Sequence, residues 1–408
     1  MKKLYLLTLL ILGALPIMAQ EDKKFNFYGF VRTDFFYDSR SSVASCNELF
    51  YLYPLAEELD ANGNDLNDKS TMGFFSFVTR LGVDVTGQKI GNALASAKVE
   101  VDFGGFSSSY TLLRIRQAYL NLAWQEGKHS LLVGQTWHPL FGSVSPTVAN
   151  LATGSPFQPF SRTPQFRYTY KNGGFNVLFA ALSQFQYTSS GVNGSSMEYF
   201  ANGCVPELYL GVDYTSGGFL VGAGLDLLTI SPRTEYTDDA GDTYKVNEIM
   251  SALSGEVHLK YHNKKLNIAA KSLLASALDH TLLLGGYGVS SVSSTGEQEY
   301  TPLHHSTTWL NITYGTKWRP SLFVGYTKNL GSSEELISTS KIYGRGVNID
   351  QLLGVNLGVT YILPNFTVGV EYSSTTAWYG DINLKSGRVE DTQDYTNNRV
   401  VGVVTYFF

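Results

Sequence analysis

The chain has 408 residues, of which 13% are aromatic and only 16% are charged, and it contains 40 glycines and 26 tyrosines. A soluble domain of this length normally carries more charge and shows helical periodicity, whereas this sequence has almost no helical period. Its formal net charge is −5. Because nucleic-acid-binding domains are usually basic, this charge argues against a nucleic-acid partner.

The first residues have the pattern of a secretory signal peptide. Lys2 and Lys3 form a basic start, residues 4–18 are apolar, and the small residue Ala19 precedes Gln20, so we expect residues 1–19 to be cleaved off. Loss of the two lysines leaves 28 basic against 35 acidic side chains, a net charge near −7. No later run approaches the roughly 18 apolar residues of a membrane helix. The sequence therefore predicts either a soluble secreted protein or a membrane β-barrel.

Sixteen segments alternate between apolar and polar residues and are bounded by turn residues, as β-strands are. The predicted strands are 25–37, 73–86, 92–103, 110–124, 130–138, 164–171, 174–187, 206–215, 218–230, 248–262, 265–278, 304–316, 318–329, 349–361, 365–378 and 397–408. The connections between these strands alternate: each short connection is followed by one that is usually long. This order is typical of an outer-membrane barrel, with periplasmic turns on one rim and extracellular loops on the other.

The two faces of the strands indicate which side meets water. In the strand 92–103, the charged residues Lys98, Glu100 and Asp102 alternate with apolar ones, and the strand 248–262 has the same pattern. Sixteen strands enclose a lumen too wide for side chains to fill, so the polar face must line water and the apolar face must contact lipid. The sequence therefore predicts an all-β fold, a 16-stranded antiparallel transmembrane β-barrel spanning residues 20–408.

The strand 110–124 fits this rule less well. Strict alternation places Gln117 and Asn121 on the outward face, where contact with another subunit would suit them better than lipid. Ala93, Ala95 and Ala97, on the neighbouring outward face, also suit close packing against a second chain.

Residues 111–142 predict a hairpin that brings two arginines close to a long irregular segment. Arg114 and Arg116 share one strand face with Ala118, because successive side chains point to opposite faces. After the second strand, closely spaced prolines interrupt any further ladder before the next strand begins near Gln165.

Five motifs lie in order within about the first 170 residues: TRLGVDVTG, VEVDFGG, RIRQAYLNL, LLVGQTW and SRTPQFRYTY. The chain also ends on aromatic residues, in TYFF. On these features the sequence resembles the Gram-negative trimeric porins, and among them the DcaP-like porins. The resemblance implies a homotrimer of 16-stranded barrels whose third extracellular loop, about residues 138–163, folds inward and narrows the pore.

The resemblance also implies a basic pore wall. It would contain Arg80, Arg114, Arg116 and an arginine at the start of the sixth strand, Arg162 or Arg167. Two features depart from the family. The second extracellular loop, about residues 104–109, is short for a latch onto a neighbouring subunit, and residues 20–25 contain no coiled-coil segment.

We therefore expect an outer-membrane porin, a passive diffusion channel for small hydrophilic solutes that favours anions such as carboxylates. Fixed charges of opposite sign in a narrow aqueous waist orient polar solutes and favour ions of one sign. On the acidic side we place Asp84, Glu100 and Asp102, and Gln135 and Trp137 complete the expected pore lining.

These acids have a second interpretation that is about equally compatible with the sequence. Asp34, Asp84 and Glu100 could pair with basic neighbours as salt bridges within the barrel wall. The candidate partners are Arg32, Arg80 and Arg114.

We expect no enzyme activity, no cofactor and no metal site. His258 and His262 are four residues apart on one strand, which separates them by about 13 Å and prevents them from sharing a metal or a proton. The pair His304–His305 is expected at a loop edge on the barrel rim.

The two cysteines, Cys46 and Cys204, lie in loop-like stretches of an exported chain. Either a disulfide or two free thiols is compatible with the sequence, because spacing alone does not give the distance between them.

An alternative function is that of an outer-membrane receptor or adhesin barrel acting through its long loops. The best candidate for a partner-binding element is the first loop, about residues 38–72, which contains LFYLYPLAEELD. The expected location is the bacterial outer membrane, and the expected partners are its lipid, lipopolysaccharide, further copies of the chain and small solutes.

Overall fold

A computed structural model of the protein describes residues 24–104 and 112–408. Within these residues, sixteen long strands pair in antiparallel fashion with their neighbours along the chain, and the last strand returns to the first. The closing ladder runs from Phe30 opposite Phe407 to Asp38 opposite Arg399. The predicted 16-stranded antiparallel β-barrel is therefore confirmed.

The barrel strands follow each other in chain order. They are β1 Lys24–Asp38, β2 Arg80–Ile90, β3 Ala93–Asp102, β4 Arg114–Trp124, β5 His129–Trp137, β6 Arg162–Asn172, β7 Phe175–Leu182, β8 Glu207–Ser216, β9 Phe219–Ile230, β10 Met250–His262, β11 Leu266–Ser276, β12 Gln298–Tyr314, β13 Trp318–Ser332, β14 Ile349–Leu363, β15 Phe366–Asn383 and β16 Arg388–Phe407. Turns of two to four residues join strands on one rim, and mostly long connections join them on the other. The predicted alternation of short turns and long loops is confirmed.

The long connections contain small elements of their own. Three strand pairs are Ser42–Ser45 with Phe50–Pro54, Ser190–Gly191 with Gly194–Ser195, and Glu235–Thr237 with Thr243–Lys245. Thr71–Phe75 pairs with the end of β1, and Gly285–Val292 lies between β12 and Ile342–Arg345. The helical elements are α1 Glu198–Gly203 and single 3-10 turns at Gln125–Gly127, Asp279–Thr281 and Thr339–Lys341. In the described part of the chain, no helix is long and apolar enough to cross a membrane.

Several strands end elsewhere than expected. Strands β15 and β16 extend into residues 379–396, which were expected to be a loop, and β12 begins at Gln298, so that His304 and His305 lie inside a strand. Beyond the lipid both faces of a strand can be polar, so the ladder continues where the apolar alternation stops. The expected position of the two histidines at a loop edge is therefore wrong.

The faces of the strands agree with the predicted orientation. On β10, Leu253 and Val257 are 61% and 57% exposed on the outer surface, whereas Glu256 is 3% exposed on the inner side. Large exposed apolar side chains recur around the outer surface, where a transmembrane barrel meets lipid.

Because of a β-bulge in β4, several of its side chains face the opposite side of the barrel wall from the one that strict alternation predicts. The register between β3 and β4 shifts next to Glu100, which leaves Arg116 as the extra residue. An extra residue reverses the faces relative to strict alternation. Gln117 therefore points inward and donates to Glu100 Oε1 at 3.3 Å, Asn121 shares its side, and Ala118 moves to the outer side. The expected outward placement of Gln117 and Asn121 is wrong, because the bulge leaves no mark in the polar and apolar pattern.

Two predictions made from the sequence concern residues that the structure does not describe. The predicted signal peptide, residues 1–19, and most of the short second loop, about residues 104–109, lie outside the described residues.

Candidate functional site

The connection 138–161 between β5 and β6, here called the lumen segment, crosses to strands on the opposite side of the barrel. Ala149 N donates to Glu371 Oε2 on β15 at 2.8 Å. Trp309 Nε1 on β12 donates to Gln158 Oε1 at 2.9 Å. These bonds tie the segment to inward-facing side chains, so it lies within the lumen.

Aromatic packing holds the same segment in place. Phe157 is 4% exposed, and its ring lies beside Phe323, with 6.0 Å between ring centres. Gly325 on β13 and Gly354 on β14 face the Phe157 ring so closely that a methyl group at either position would overlap it. Two glycines in neighbouring strands therefore form a notch for one phenylalanine.

The first connection also enters the lumen. Residues 50–53 are buried, and the Phe50 ring lies 5.1 Å from that of Phe160 in the lumen segment. Tyr379 OH on β15 donates to Pro54 O at 2.7 Å. The apolar part of the loop that was the best candidate for binding a partner is therefore packed inside the barrel and is not displayed on its surface.

Two cavities adjoin these segments. One, of about 240 Å³, is lined by residues of the long connections, including Phe50, Tyr187 and Arg345. The other, of about 210 Å³, lies nearer the rim of short turns and is lined by the lumen segment and by strand residues that include Arg32 and Arg319. Each cavity therefore has at least one guanidinium group in its lining.

Three of the predicted arginines form ion pairs with two carboxylates on β2, β3 and β4. Arg116 Nε lies 2.9 Å from Glu100 Oε1, and Arg116 Nη1 lies 2.8 Å from Asp102 Oδ2. Arg114 Nη2 reaches the same Asp102 oxygen at 2.8 Å, and Arg80 Nη1 lies 3.6 Å from Glu100 Oε1. This network carries one more positive than negative charge.

The other two predicted arginines, Arg162 and Arg167 on β6, have no carboxylate at salt-bridge distance among the described residues. Arg162 is fully buried, its Nη2 donates to Tyr187 OH at 2.9 Å, and its guanidinium lies 4.8 Å from the Trp137 ring centre. Arg167 donates to Gln165 Oε1 at 2.8 Å and to the Trp137 carbonyl oxygen at 2.6 Å. Their hydrogen-bond acceptors among the described residues are all neutral, so no ion pair offsets either positive charge. We call Arg80, Arg114, Arg116, Arg162 and Arg167 together the arginine wall.

Gln135 and Trp137, on β5, support this wall. Gln135 Nε2 donates to Ile115 O at 3.0 Å, beside the bulge that turns Arg116 inward. The Trp137 ring stacks on Phe141 of the lumen segment, with 4.1 Å between ring centres. The two residues thus join the wall to the bulge and to the lumen segment.

The three expected acidic residues do not form an opposing face. Glu100 and Asp102 belong to the arginine wall, and Asp84 pairs with Lys98 Nζ at 2.8 Å. The alternative of salt bridges within the wall describes this geometry, although Asp84 pairs with a lysine where an arginine was expected. The expected pairing of Arg32 with Asp34 is present at 2.6 Å. Register between strands places Asp84, Glu100 and Asp102 beside basic residues of adjacent strands, whereas Arg32 and Asp34 lie two residues apart on β1.

A second group of inward acids, on β8 to β10, was not predicted. Asp213 Oδ1 lies 2.8 Å from His258 Nε2, and Glu256 Oε2 lies 2.8 Å from Lys271 Nζ on β11. Glu207, which starts β8, lies between His138 and His280, and one possible ligand atom from each of the three lies within 4.8 Å of the others. Strand parity predicted the inward face of Glu256 and could also have placed Asp213 there, but the grouping depends on loop positions that the sequence does not reveal.

Both cysteines are free thiols in the structure, and no disulfide joins them. Cys46 is partly buried and Cys204 is exposed. Burial raises the pKa of the Cys46 thiol above its ordinary value, which lowers its reactivity as a thiolate.

Solved structures of outer-membrane proteins have a similar barrel fold. Among solved structures, the chain is similar to the outer membrane channel DcaP of Acinetobacter baumannii, with 20% identity over 97% of this chain and 99% of that one and a TM-score of 0.69. It is also similar to OmpT, an outer membrane protein of Vibrio cholerae, with 14% identity over 97% and 100% of the two chains and a TM-score of 0.56.

A third similar structure is Salmonella typhi OmpF in complex with daunomycin, with 14% identity over 95% and 98% of the two chains and a TM-score of 0.51. The resemblance to Gram-negative porins, and to DcaP in particular, is confirmed at the level of the fold. No protein-family model matches the chain, and neither does any curated protein.

Proposed function

We propose that the protein is an outer-membrane porin, a passive channel in the bacterial outer membrane for small anions such as carboxylates. The observation that carries this proposal is the surplus of positive charge on the inner face of β2 to β6. Five guanidinium groups form the arginine wall, whereas the wall's ion pairs among the described residues involve only two carboxylates, Glu100 and Asp102. The likeness of the barrel to outer-membrane channels supports the location.

The chemistry of arginine suits transient binding of carboxylates. A guanidinium is charged at any physiological pH and presents a planar fork of N–H donors that matches a carboxylate. In a confined aqueous path, such groups raise the local concentration of anions. The resident acids Glu100 and Asp102 compete for Arg80, Arg114 and Arg116, so a solute is bound weakly enough to leave again, as conduction requires.

The packing inside the barrel supports passage of small solutes only. The lumen segment and residues 50–53 both occupy space that an unobstructed 16-stranded barrel would leave to water. We therefore propose that the lumen segment is the constriction, and that the cavities of about 240 and 210 Å³ are compartments of the permeation path.

We also propose that the channel assembles as a homotrimer through the outer faces of β2 to β4. Ala93, Ala95 and Ala97 are small, and neighbouring side chains leave Ala93 and Ala95 only 1% and 5% exposed, so another barrel can approach this face closely. Replacing the partly exposed Ala97 with leucine should weaken the trimer, whereas leucine in place of the exposed Ala223 on β9 should leave it intact. Cross-linking in outer membranes measures both, and an unchanged trimer in the first variant would place the interface elsewhere.

The sharpest test of anion preference is Arg167→Gln. Because Arg167 has only neutral hydrogen-bond partners, this change removes a positive charge without releasing a carboxylate. We expect the reversal potential of single channels in a salt gradient to shift toward cations, more strongly at low salt because screening is weaker.

The matched control is Arg388→Gln, which removes an exposed arginine at the tip of the hairpin between β15 and β16. It should shift the reversal potential much less. Equal shifts in the two variants would contradict the arginine wall as the source of selectivity, and a folded wild-type protein without defined conductance would overturn the channel itself.

A further inference from the structure

Three buried side chains from distant parts of the chain meet at the base of the lumen segment. His138 is the first residue of that segment, Glu207 begins β8, and His280 lies in the turn Asp279–Thr281 between β11 and β12. Each is at most 1% exposed. The group therefore joins the lumen segment, the barrel wall and a long connection.

The spacing of their polar atoms is close to that of a metal coordination sphere. Glu207 Oε1 lies 3.0 Å from His138 Nε2 and 3.1 Å from His280 Nε2. Ligands at roughly 2.0–2.1 Å from a tetrahedral zinc ion lie about 3.3 Å from each other. All three atoms lie within 4.8 Å of one another, so adjustments of at most about 1.5 Å would bring them to the spacing of zinc ligands.

Unpaired carboxylate oxygens surround the same point. Glu207 Oε2 and both carboxylate oxygens of Asp226 have no hydrogen-bond partner among the described residues. Asp226 is 1% exposed, and its Oδ1 lies 3.9 Å from His138 Nε2. Burying carboxylate oxygens without partners is costly. The Asp226 carboxylate and Glu207 Oε2, beside two imidazoles, therefore indicate a missing cation.

We propose that His138, Glu207 and His280, with Asp226 as the fourth ligand, bind a divalent transition-metal cation of the zinc type. Two imidazoles and two carboxylates suit zinc, whereas calcium and magnesium take oxygen ligands. His280 also lines the cavity of about 240 Å³, which gives the ion a route from the rim of long loops.

Binding changes where a proton lies on His138. Leu140 N donates to His138 Nδ1 at 3.1 Å, so the proton of neutral His138 is on Nε2. An ion bound at Nε2 moves this proton to Nδ1, and Leu140 N then loses its acceptor. His280 Nδ1 has no hydrogen-bond partner among the described residues and takes its proton without such a loss. Metal binding is therefore coupled to the first residues of the lumen segment, whose Leu140 carbonyl also accepts from Lys271 Nζ.

The test is a titration of the purified, full-length, folded protein with Co²⁺, after treatment with a chelator and removal of lipopolysaccharide. We expect one Co²⁺ per chain with the visible absorption bands of tetrahedral cobalt, displaced by Zn²⁺. His280→Gln should weaken binding at least about tenfold, as should Glu207→Gln, because each removes a direct ligand. His304→Gln is the matched control: it changes a half-buried histidine that bonds only Ser276 and Ser333 among the described residues, and it should bind Co²⁺ as wild type does.

His280 lies in a connection, so its variant should fold even if Glu207→Gln, on a strand, fails to insert. The shift of folded barrels on heating in gels reports folding for each variant. No tetrahedral Co²⁺ signal in folded wild type would overturn the proposal, and so would binding that survives His280→Gln. Either result would mean that His138 and His280 only form hydrogen bonds with Glu207. The proposed conduction of anions would be unaffected, because it rests on other residues.

Discussion

Arg116 Nη1 lies 2.8 Å from Asp102 Oδ2, the same oxygen that Arg114 Nη2 reaches at 2.8 Å. One carboxylate thus pairs with two guanidiniums, and Glu100 pairs with Arg116 as well. Removing these arginines would do more than subtract positive charge, because it would leave Asp102 without an arginine and Glu100 with only the more distant Arg80, at 3.6 Å. The wall must therefore be tested as a network.

The double variant Arg114→Ala with Arg116→Ala should shift the reversal potential toward cations. Two positive charges are lost, and Glu100 and Asp102 lose their closest partners. The shift should be larger at 0.1 M salt, where the Debye length is about 10 Å, than at about 1 M, where it is about 3 Å. Recordings from folded channels in planar bilayers measure it, and no shift would mean that this patch lies off the permeation path.

A quadruple variant separates the two causes of that shift. Adding Glu100→Gln and Asp102→Asn removes the freed carboxylates and leaves Arg80, Arg162 and Arg167 in place. If the pairs neutralise each other in the wild type, selectivity returns close to its original value. If Arg114 and Arg116 set the field themselves, the quadruple variant stays less selective for anions than the wild type.

Deleting Phe408 should slow insertion of the barrel into the outer membrane. Phe408 N donates to Gly29 O at 3.1 Å, and Gly29 N donates to Phe408 O at 3.0 Å, so the last residue takes part in closing the barrel. Phe408→Tyr keeps both backbone bonds and an aromatic ring and serves as the control. Pulse-labelling of heat-modifiable protein in the outer membrane measures the rate, and an unchanged rate after the deletion would contradict this role.

Acid should loosen the connection before β10. Glu248 accepts hydrogen bonds from Arg233 Nε at 2.8 Å and from Gln298 N at 2.7 Å. Burial alone would raise the pKa of Glu248, but Arg233 and the hydrogen bonds, including one from Tyr300, bring it below its usual value. A depressed carboxyl pKa gives stabilisation that is complete above the unfolded value of about 4.3 and is lost as the pH falls through the folded value.

Hydrogen exchange of amides 233–248, corrected for the intrinsic pH dependence, should therefore be constant from neutral pH to about 5 and rise below about 4. Glu248→Gln should make exchange fast at every pH, whereas Glu299→Gln, at an exposed acid that bonds only Ser291 among the described residues, should behave as wild type. Protection in wild type that persists well below the folded pKa would show that the carboxylate does not hold this connection.

Alternation along the strands was enough to predict the barrel, because every membrane-embedded strand must present one face to lipid and the other to water. The same rule failed where that constraint is absent. In residues 379–396 the strands continue although polar residues occupy both faces, and the bulge at Arg116 inserts a residue that only the register reveals.

Alternation along the strands also predicted which residues of the candidate site share the inner face, but it did not predict how they pair. Parity brought Arg114 and Arg116 together with Glu100 and Asp102, but whether acids pair beside arginines or face them depends on register between strands. The group of His138, Glu207 and His280 could not be predicted at all. Its members are separated by 69 and 73 residues and come together only through the fold of two connections.

The docking of Phe157 should determine how far the lumen segment narrows the pore. Phe157→Ala removes a buried ring and should weaken the packing of the segment by about 3–5 kcal/mol, so that conductance rises and fluctuates more. Gly325→Val should act similarly from the other side, because its side chain would occupy the space of the Phe157 ring. Val359 on β14 points to the outer surface, and Val359→Ala is the control, which should change neither property.

Deleting residues 143–158 should give the largest conductance of the series, since it removes most of the lumen segment without altering a barrel strand. Single-channel recordings give the conductance, and heat-modifiability confirms that each barrel is folded. If the deletion variant folds and conducts as the wild type does, ions pass by a route that the lumen segment does not restrict, and the constriction must be sought among residues 50–53 of the first connection.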